Sequence, residues 1–155
     1  MSKPSNNNTK AKYWTAVLYP ENLIDNWDTL IGDLLELPYA YCCHNADLTS
    51  DDEEDRKDHV HLIIVFPNTT TYKNAFRVFQ RLGEYCLSAC QSVINIRYMY
   101  EYLIHNTDTA KKQGKHQYDP SERISGNNFD IGSYEQLSLA EKNEMRHELS
   151  MVVFS

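Results

Sequence analysis

The segment 58–66, DHVHLIIVF, constrains the fold more than any other stretch of the chain. Beyond His61 every position is apolar, and the mixture of Ile, Val and Phe favours a strand. Side chains alternate across a strand, so consecutive apolar residues put hydrophobic groups on both of its faces. Such a strand belongs in the middle of a sheet, covered on both sides. At 155 residues the chain has the size of one domain, and 41% hydrophobic residues provide enough material for a core.

The flanking segments supply the other layers. Residues 12–19 (KYWTAVLY) read as a strand bounded by Pro20. Residues 23–36 carry Leu23, Trp27, Leu30, Ile31, Leu34 and Leu35 at helical spacing, and Pro38 stops that helix. Residues 39–44 (YAYCCH) form a second strand, and 45–57 a charged loop. Pro67-Asn68 ends the strand 58–66, and Thr69 to Thr71 cap a helix running to about Leu82. Residues 92–96 (SVINI) read as a short strand and 97–105 (RYMYEYLIH) as a helix. A polar, basic loop follows, then a last helix over 137–154 with Ser138 as N-cap and Glu141 at the capping-box position. Strand, helix, strand, strand, helix, strand, helix predicts an α+β fold, a central antiparallel sheet of about five strands with flanking helices. Residues 1–11 read as a disordered arm, 12–136 as the folded domain and 137–155 as a C-terminal helix. The apolar end at 151–155 reads either as the start of further chain or as a tail docked on the core.

Composition narrows the classes. No apolar run is long enough to span a bilayer, and residues 1–12 lack the apolar region of a signal peptide, so a cytoplasmic protein is expected. The four cysteines make no disulfide framework: Cys42 and Cys43 are adjacent, and Cys86 and Cys90 are expected to share one face of a helix. The net charge of −7 argues against a nucleic-acid partner on its sum, but the acidic block Asp51 to Asp55 accounts for much of it. Basic residues gather elsewhere, at Lys73, Arg77, Arg81, Arg97, Lys111, Lys112, Lys115 and Arg123, where they can form a locally basic surface.

The chemistry-bearing residues cluster around His59-Val60-His61. On a strand, positions i and i+2 share a face, so the two imidazoles stand side by side, as metal ligands or as structural histidines. His44 ends the preceding strand and Asp47 follows it. If the two strands pair as an antiparallel hairpin, His44 and Asp47 come near His59 and His61. Three imidazoles and a carboxylate suit Mn²⁺, Zn²⁺, Co²⁺ or Ni²⁺ better than Mg²⁺. Cys42, Cys43, His44, His59 and His61 could instead form a structural zinc module, although C-x₂-C spacing is missing. Downstream, Tyr98, Tyr102 and His105 fall on one side of the predicted helix and Tyr100 on another. Tyrosines so placed are core or interface groups by periodicity, and nucleophiles where a metal or base assists the phenol.

Taken together, HNAD at 44–47, HVH at 59–61 and MYEYLIH at 99–105 resemble the replication initiator proteins of small Gram-positive rolling-circle plasmids, the Rep_2-type HUH endonucleases. KYWTAVLYPENL and NNFDIGSY extend the resemblance over about residues 11–150. It implies an HUH-endonuclease, RRM-like fold and a divalent metal, typically Mn²⁺ with Mg²⁺ as the alternative, on His59, His61, His44 and Asp47. It implies Tyr102 as the nucleophile of single-stranded DNA nicking, through a 5′-phosphotyrosine that can be rejoined. It further implies binding of single-stranded and duplex origin DNA, and oligomerisation through a C-terminal region beyond this chain. Lys73, Arg77, Arg97, Lys111, Lys112 and Lys115 are the expected DNA contacts. A relaxase or transposase of the same class, and a non-catalytic nucleic-acid binder using some of the eleven tyrosines, are the alternatives.

Overall fold

The computed structural model describes residues 9–45 and 58–137. Five strands, β1 (Lys10–Leu18), β2 (Tyr39–His44), β3 (His59–Thr71), β4 (Cys90–Ser92) and β5 (Ile124–Gly126), form one sheet in the order β4-β1-β3-β2-β5. Every pairing is antiparallel. Among the described residues four α-helices accompany it: α1 (Trp27–Leu35), α2 (Tyr72–Phe79), α3 (Ile96–Tyr102) and α4 (Asp108–Lys112). Residues 131–137 are helical as well. The fold is the expected α+β architecture, and β3 is its central strand.

Alternation along β3 divides the core into two layers. Val60, Leu62, Ile64 and Phe66 join Trp14, Ala16 and Leu18 of β1 under α1 and α2, which contribute Ile31, Leu35, Ala75, Val78 and Phe79. Ile63 points the other way, toward Ala40 and Cys42 of β2, Ile96 of α3, Leu103 and Ile104. Burying each large apolar side chain stabilises the fold by roughly 1.5–3 kcal/mol, so both layers contribute strongly. Arg81 joins α2 to α1 by donating to the carbonyls of Leu34 and Leu35 at 3.3 and 3.1 Å, which satisfies two of the open acceptors at the end of α1.

Several boundaries differ from the sequence reading. β3 does not stop at Pro67. Tyr13 pairs with Val65 but Ala11 pairs with Thr70, so the ladder slips at 66–69. Pro67 sits in that irregularity, where its missing N–H costs no ladder bond. Thr71 is the cap of α2, accepting from the Asn74 N–H at 3.2 Å. The fourth strand lies at Cys90–Ser92 rather than 92–96, because Cys90 is the inward residue facing Ala16 and Asn95 is taken as the N-cap of α3. Cys86 and Cys90 share no helix; both are buried, one in a turn and one on β4. β5 and α4 were expected to be loop. Ser138, Glu141 and the acidic block lie outside the described residues, but the last helix begins earlier than 137, with Asp130 accepting from the Ser133 N–H at 3.3 Å. No helix among the described residues is long and apolar enough to cross a membrane.

Candidate metal and nucleophile site

Pairing of β2 with β3 sets His44 directly opposite His59 and Cys42 opposite His61. All three imidazoles emerge on the α3 side of the sheet. His44 Nδ1 lies 3.0 Å from His59 Nε2, and His44 Nε2 lies 2.6 Å from the Leu103 carbonyl oxygen. Since a carbonyl only accepts, His44 carries its proton on Nε2 and turns the Nδ1 lone pair toward His59. The His44 ring stacks on Tyr118, with centroids 4.9 Å apart and planes 12° apart, and stands 5.8 Å from His61 and 4.5 Å from His105. His44 and His61 are buried, while His59 is partly open.

Burial, and after it the neighbouring His44, His59, His105 and Lys115, hold the His61 imidazole well below its ordinary range, so it is neutral near pH 7. Neutral imidazole is the form that binds metal. Two nitrogens each about 2.1 Å from one ion, at a right angle, stand about 3.0 Å apart. The His44–His59 nitrogen separation therefore suits a shared divalent ion as well as a hydrogen bond. Among the described residues no group of three or more His, Cys, Asp or Glu is arranged to hold an ion, and Asp47 lies outside those residues. The zinc module gains no support: alternation buries Cys42 on the histidine side and leaves Cys43 exposed on the opposite side.

The helix α3 brings Tyr102 over these histidines. Asn95 caps its start, accepting from the Tyr98 N–H at 3.0 Å. At its end the Asn106 N–H reaches the Glu101 carbonyl and the His105 N–H the Tyr102 carbonyl, both at 2.9 Å, the paired bonds of a Schellman turn. His105 occupies the left-handed position of that turn with φ of 60°, and its Nδ1 donates to the His116 carbonyl at 2.8 Å. His105 thus leaves the helix but stays beside Tyr102, with ring centroids 5.5 Å apart. Tyr102 also meets His61 at 5.7 Å and stacks on the exposed Tyr98 at 6.2 Å. Lys115 Nζ donates to the Tyr102 hydroxyl at 2.9 Å. Tyr100 faces elsewhere, stacked on Phe129 and covered by the Arg123 guanidinium 3.8 Å from its centroid.

The basic residues separate into distinct places. Lys111 and Lys112, in the last turn of α4, are exposed. Lys73 and Arg77 share a face of α2 across the sheet, beside an open cavity of about 610 Å³ also lined by Tyr72, Phe76 and Gln80. Arg97 is engaged by Glu135 and, at 3.2 Å, by Glu101. Arg123 pairs with Glu101 at 3.6 Å. Burial alone would raise the Glu101 carboxyl, but the Asn106 hydrogen bond and the charges of Arg123 and Arg97 hold it below the usual range. The contacts of Lys115 and Tyr118 with Tyr102 and His44 went unread in the sequence. The pattern KKQG at 111–114 carries a signal for the first, since a glycine after basic residues marks a helix end.

Residues 6–132 match the family described as plasmid replication protein, origin binding domain. The Replication protein RepB of Streptococcus agalactiae is 34% identical over 139 residues, covering 88% of this chain and 66% of that protein. The Replication protein RepB of Lactiplantibacillus plantarum is 26% identical over 141 residues, covering 90% of this chain and 60% of that protein. The chain thus spans less than two thirds of the length of either relative. The family match over residues 6–132, most of the chain, shows that the chain belongs to the plasmid replication protein, origin-binding-domain family.

Proposed function

We propose that this domain initiates plasmid replication by binding the origin and nicking one unpaired strand there, as a metal-dependent endonuclease of the HUH class. The observation that carries the reading is Tyr102, whose ring lies 5.7 Å from that of His61 and whose hydroxyl receives the Lys115 ammonium. His44, His59 and His61, with Asp47, would hold the ion, Mn²⁺ by donor type with Mg²⁺ the less favoured alternative. When bound, a divalent ion supplies positive charge to the scissile phosphate. The Tyr102 oxygen attacks phosphorus, forming a Tyr102 O–P bond as the P–O3′ bond breaks. The phenolic proton passes to solvent and the departing 3′ oxygen takes one up. The 5′-phosphotyrosine keeps the energy of the broken bond, so the same site rejoins ends without ATP, and the free 3′ hydroxyl primes synthesis. Lys111 and Lys112, both exposed, would contact the cut strand, and Lys73 and Arg77 are suited to duplex on the far side of the sheet. Action in the bacterial cytoplasm and assembly through a region beyond this chain belong to the same reading.

The test is a denaturing gel after incubation with single-stranded origin oligonucleotides, in Mn²⁺ or in EDTA. A metal-dependent covalent protein–DNA band that vanishes in Tyr102→Phe and persists in Tyr100→Phe is expected. A band of full strength in Tyr102→Phe removes Tyr102 as nucleophile.

A further inference from the structure

Lys115 reaches Tyr102 through a purpose-shaped turn. Thr107 caps α4 by accepting from the Ala110 N–H at 3.2 Å. The helix ends at Gly114, whose φ of 70° is in the left-handed region. The Gly114 N–H donates to the Lys111 carbonyl at 3.0 Å and the Lys115 N–H to the Ala110 carbonyl at 3.1 Å. This second Schellman turn fixes the Lys115 backbone and directs its side chain toward α3. Lysines on a surface keep their ammonium in water, as the exposed Lys111 and Lys112 are free to do. Lys115 is half-buried instead, with Nζ 2.9 Å from the Tyr102 oxygen and 5.3 Å from its ring centroid. Arg97 and Arg123 are neutralised by Glu101 and Glu135, but among the described residues no carboxylate pairs with Lys115. Its charge is therefore directed at the phenol.

We propose that Lys115 is the positioning residue of the nucleophile, aiming the Tyr102 oxygen and compensating the negative charge that gathers on it during attack. The proposal rests on the reading of Tyr102 as nucleophile. Lys115 keeps its own protons throughout and acts as a fixed charge. His61 and His105 flank the same ring, and Tyr98 stacks on it, so among the described residues Lys115 is the hydrogen-bond partner of the oxygen.

The experiment uses the full chain, Mn²⁺ and a single-stranded oligonucleotide selected from a randomised library by covalent capture on the wild-type protein. Single-turnover adduct formation is followed against oligonucleotide concentration for wild type, Lys115→Met, Lys115→Arg and Lys115→Ala, with melting curves to verify folding. Lys115→Met is expected to lower the maximal rate by about 100-fold, the scale of losing one aimed donor, with half-saturation changed less than about threefold. Lys115→Arg should recover part of the rate, and added ethylamine should restore part of it in Lys115→Ala. A maximal rate kept in Lys115→Met, with only half-saturation raised, makes Lys115 an ordinary phosphate contact and overturns the proposal while leaving Tyr102 in place. Absence of any adduct on the wild-type protein overturns the nucleophile reading, and this proposal with it.

Discussion

His44 and His59 stand opposite each other across β2 and β3 and bring two ring nitrogens within 3.0 Å. One proton, or one ion, can occupy the space between them. Addition of Mn²⁺ is expected to raise the melting temperature of the wild-type chain. His59→Ala and His61→Ala should each weaken Mn²⁺ binding by at least about tenfold, since even outer contacts of a metal site cost that much. Titration calorimetry on the folded variants measures this, and unchanged affinity in both removes the ligand set.

Gly114 sits where only a left-handed backbone closes the turn before Lys115. Gly114→Val should cost about 1–2 kcal/mol of stability, because a β-branched residue there meets its own carbonyl. Adduct formation should fall as it does in Lys115→Met. A variant that loses stability but forms adduct at the wild-type rate would separate the turn from the chemistry.

Glu101 gathers Arg97, Arg123 and Asn106 around one carboxylate beside the proposed nucleophile. Its carboxyl is held below the usual range in the folded chain, so its stabilising contribution is present above the unfolded value of about 4.3 and is lost as pH falls through the lower folded value. Glu101→Gln should therefore melt lower than wild type near neutral pH, with the gap closing in acid. A gap that stays constant down to strongly acidic pH would show that the charge on Glu101 contributes nothing.

Lys73 and Arg77 lie on α2, across the sheet from Tyr102. Replacing both with alanine should weaken duplex origin binding and reduce its salt dependence by about one unit of slope per lost phosphate contact. Adduct formation on a short unpaired oligonucleotide should be unaffected. Equal losses in both assays would place one continuous DNA path over both surfaces.

Loss of the Arg81 contacts with Leu34 and Leu35 should cost about 1 kcal/mol, or about 3 °C in melting temperature, in Arg81→Met. Nicking should be unchanged, because Arg81 serves the helix layer opposite the histidines.

Strand alternation explains why so much of the site was legible. The apolar run after His61 identified the central strand, and the i, i+2 spacing put His59 and His61 on one face. Helical spacing correctly separated Tyr102 from Tyr100, although His105 reaches Tyr102 from a left-handed turn rather than from the helix. What the sequence concealed came from short or irregular pieces. β5 has three residues, too few for a periodic signal, and it needs Gly126 because a Cβ there would overlap the Tyr39 hydroxyl. Pro67 read as a strand end because a slip in register is invisible in one chain alone. Tyr118 stacks on His44 from a loop, where no periodicity predicts a partner.

The 2.6 Å bond from His44 to the Leu103 carbonyl ties the sheet to the peptide next to Tyr102. On the proposed chemistry, this makes the cutting edge a fixed jig rather than a closing jaw. The Tyr102 main chain cannot move away from the histidines unless that tie is broken. On the same reading, the strand joined to Tyr102 stays beside the histidines while the free 3′ end is extended.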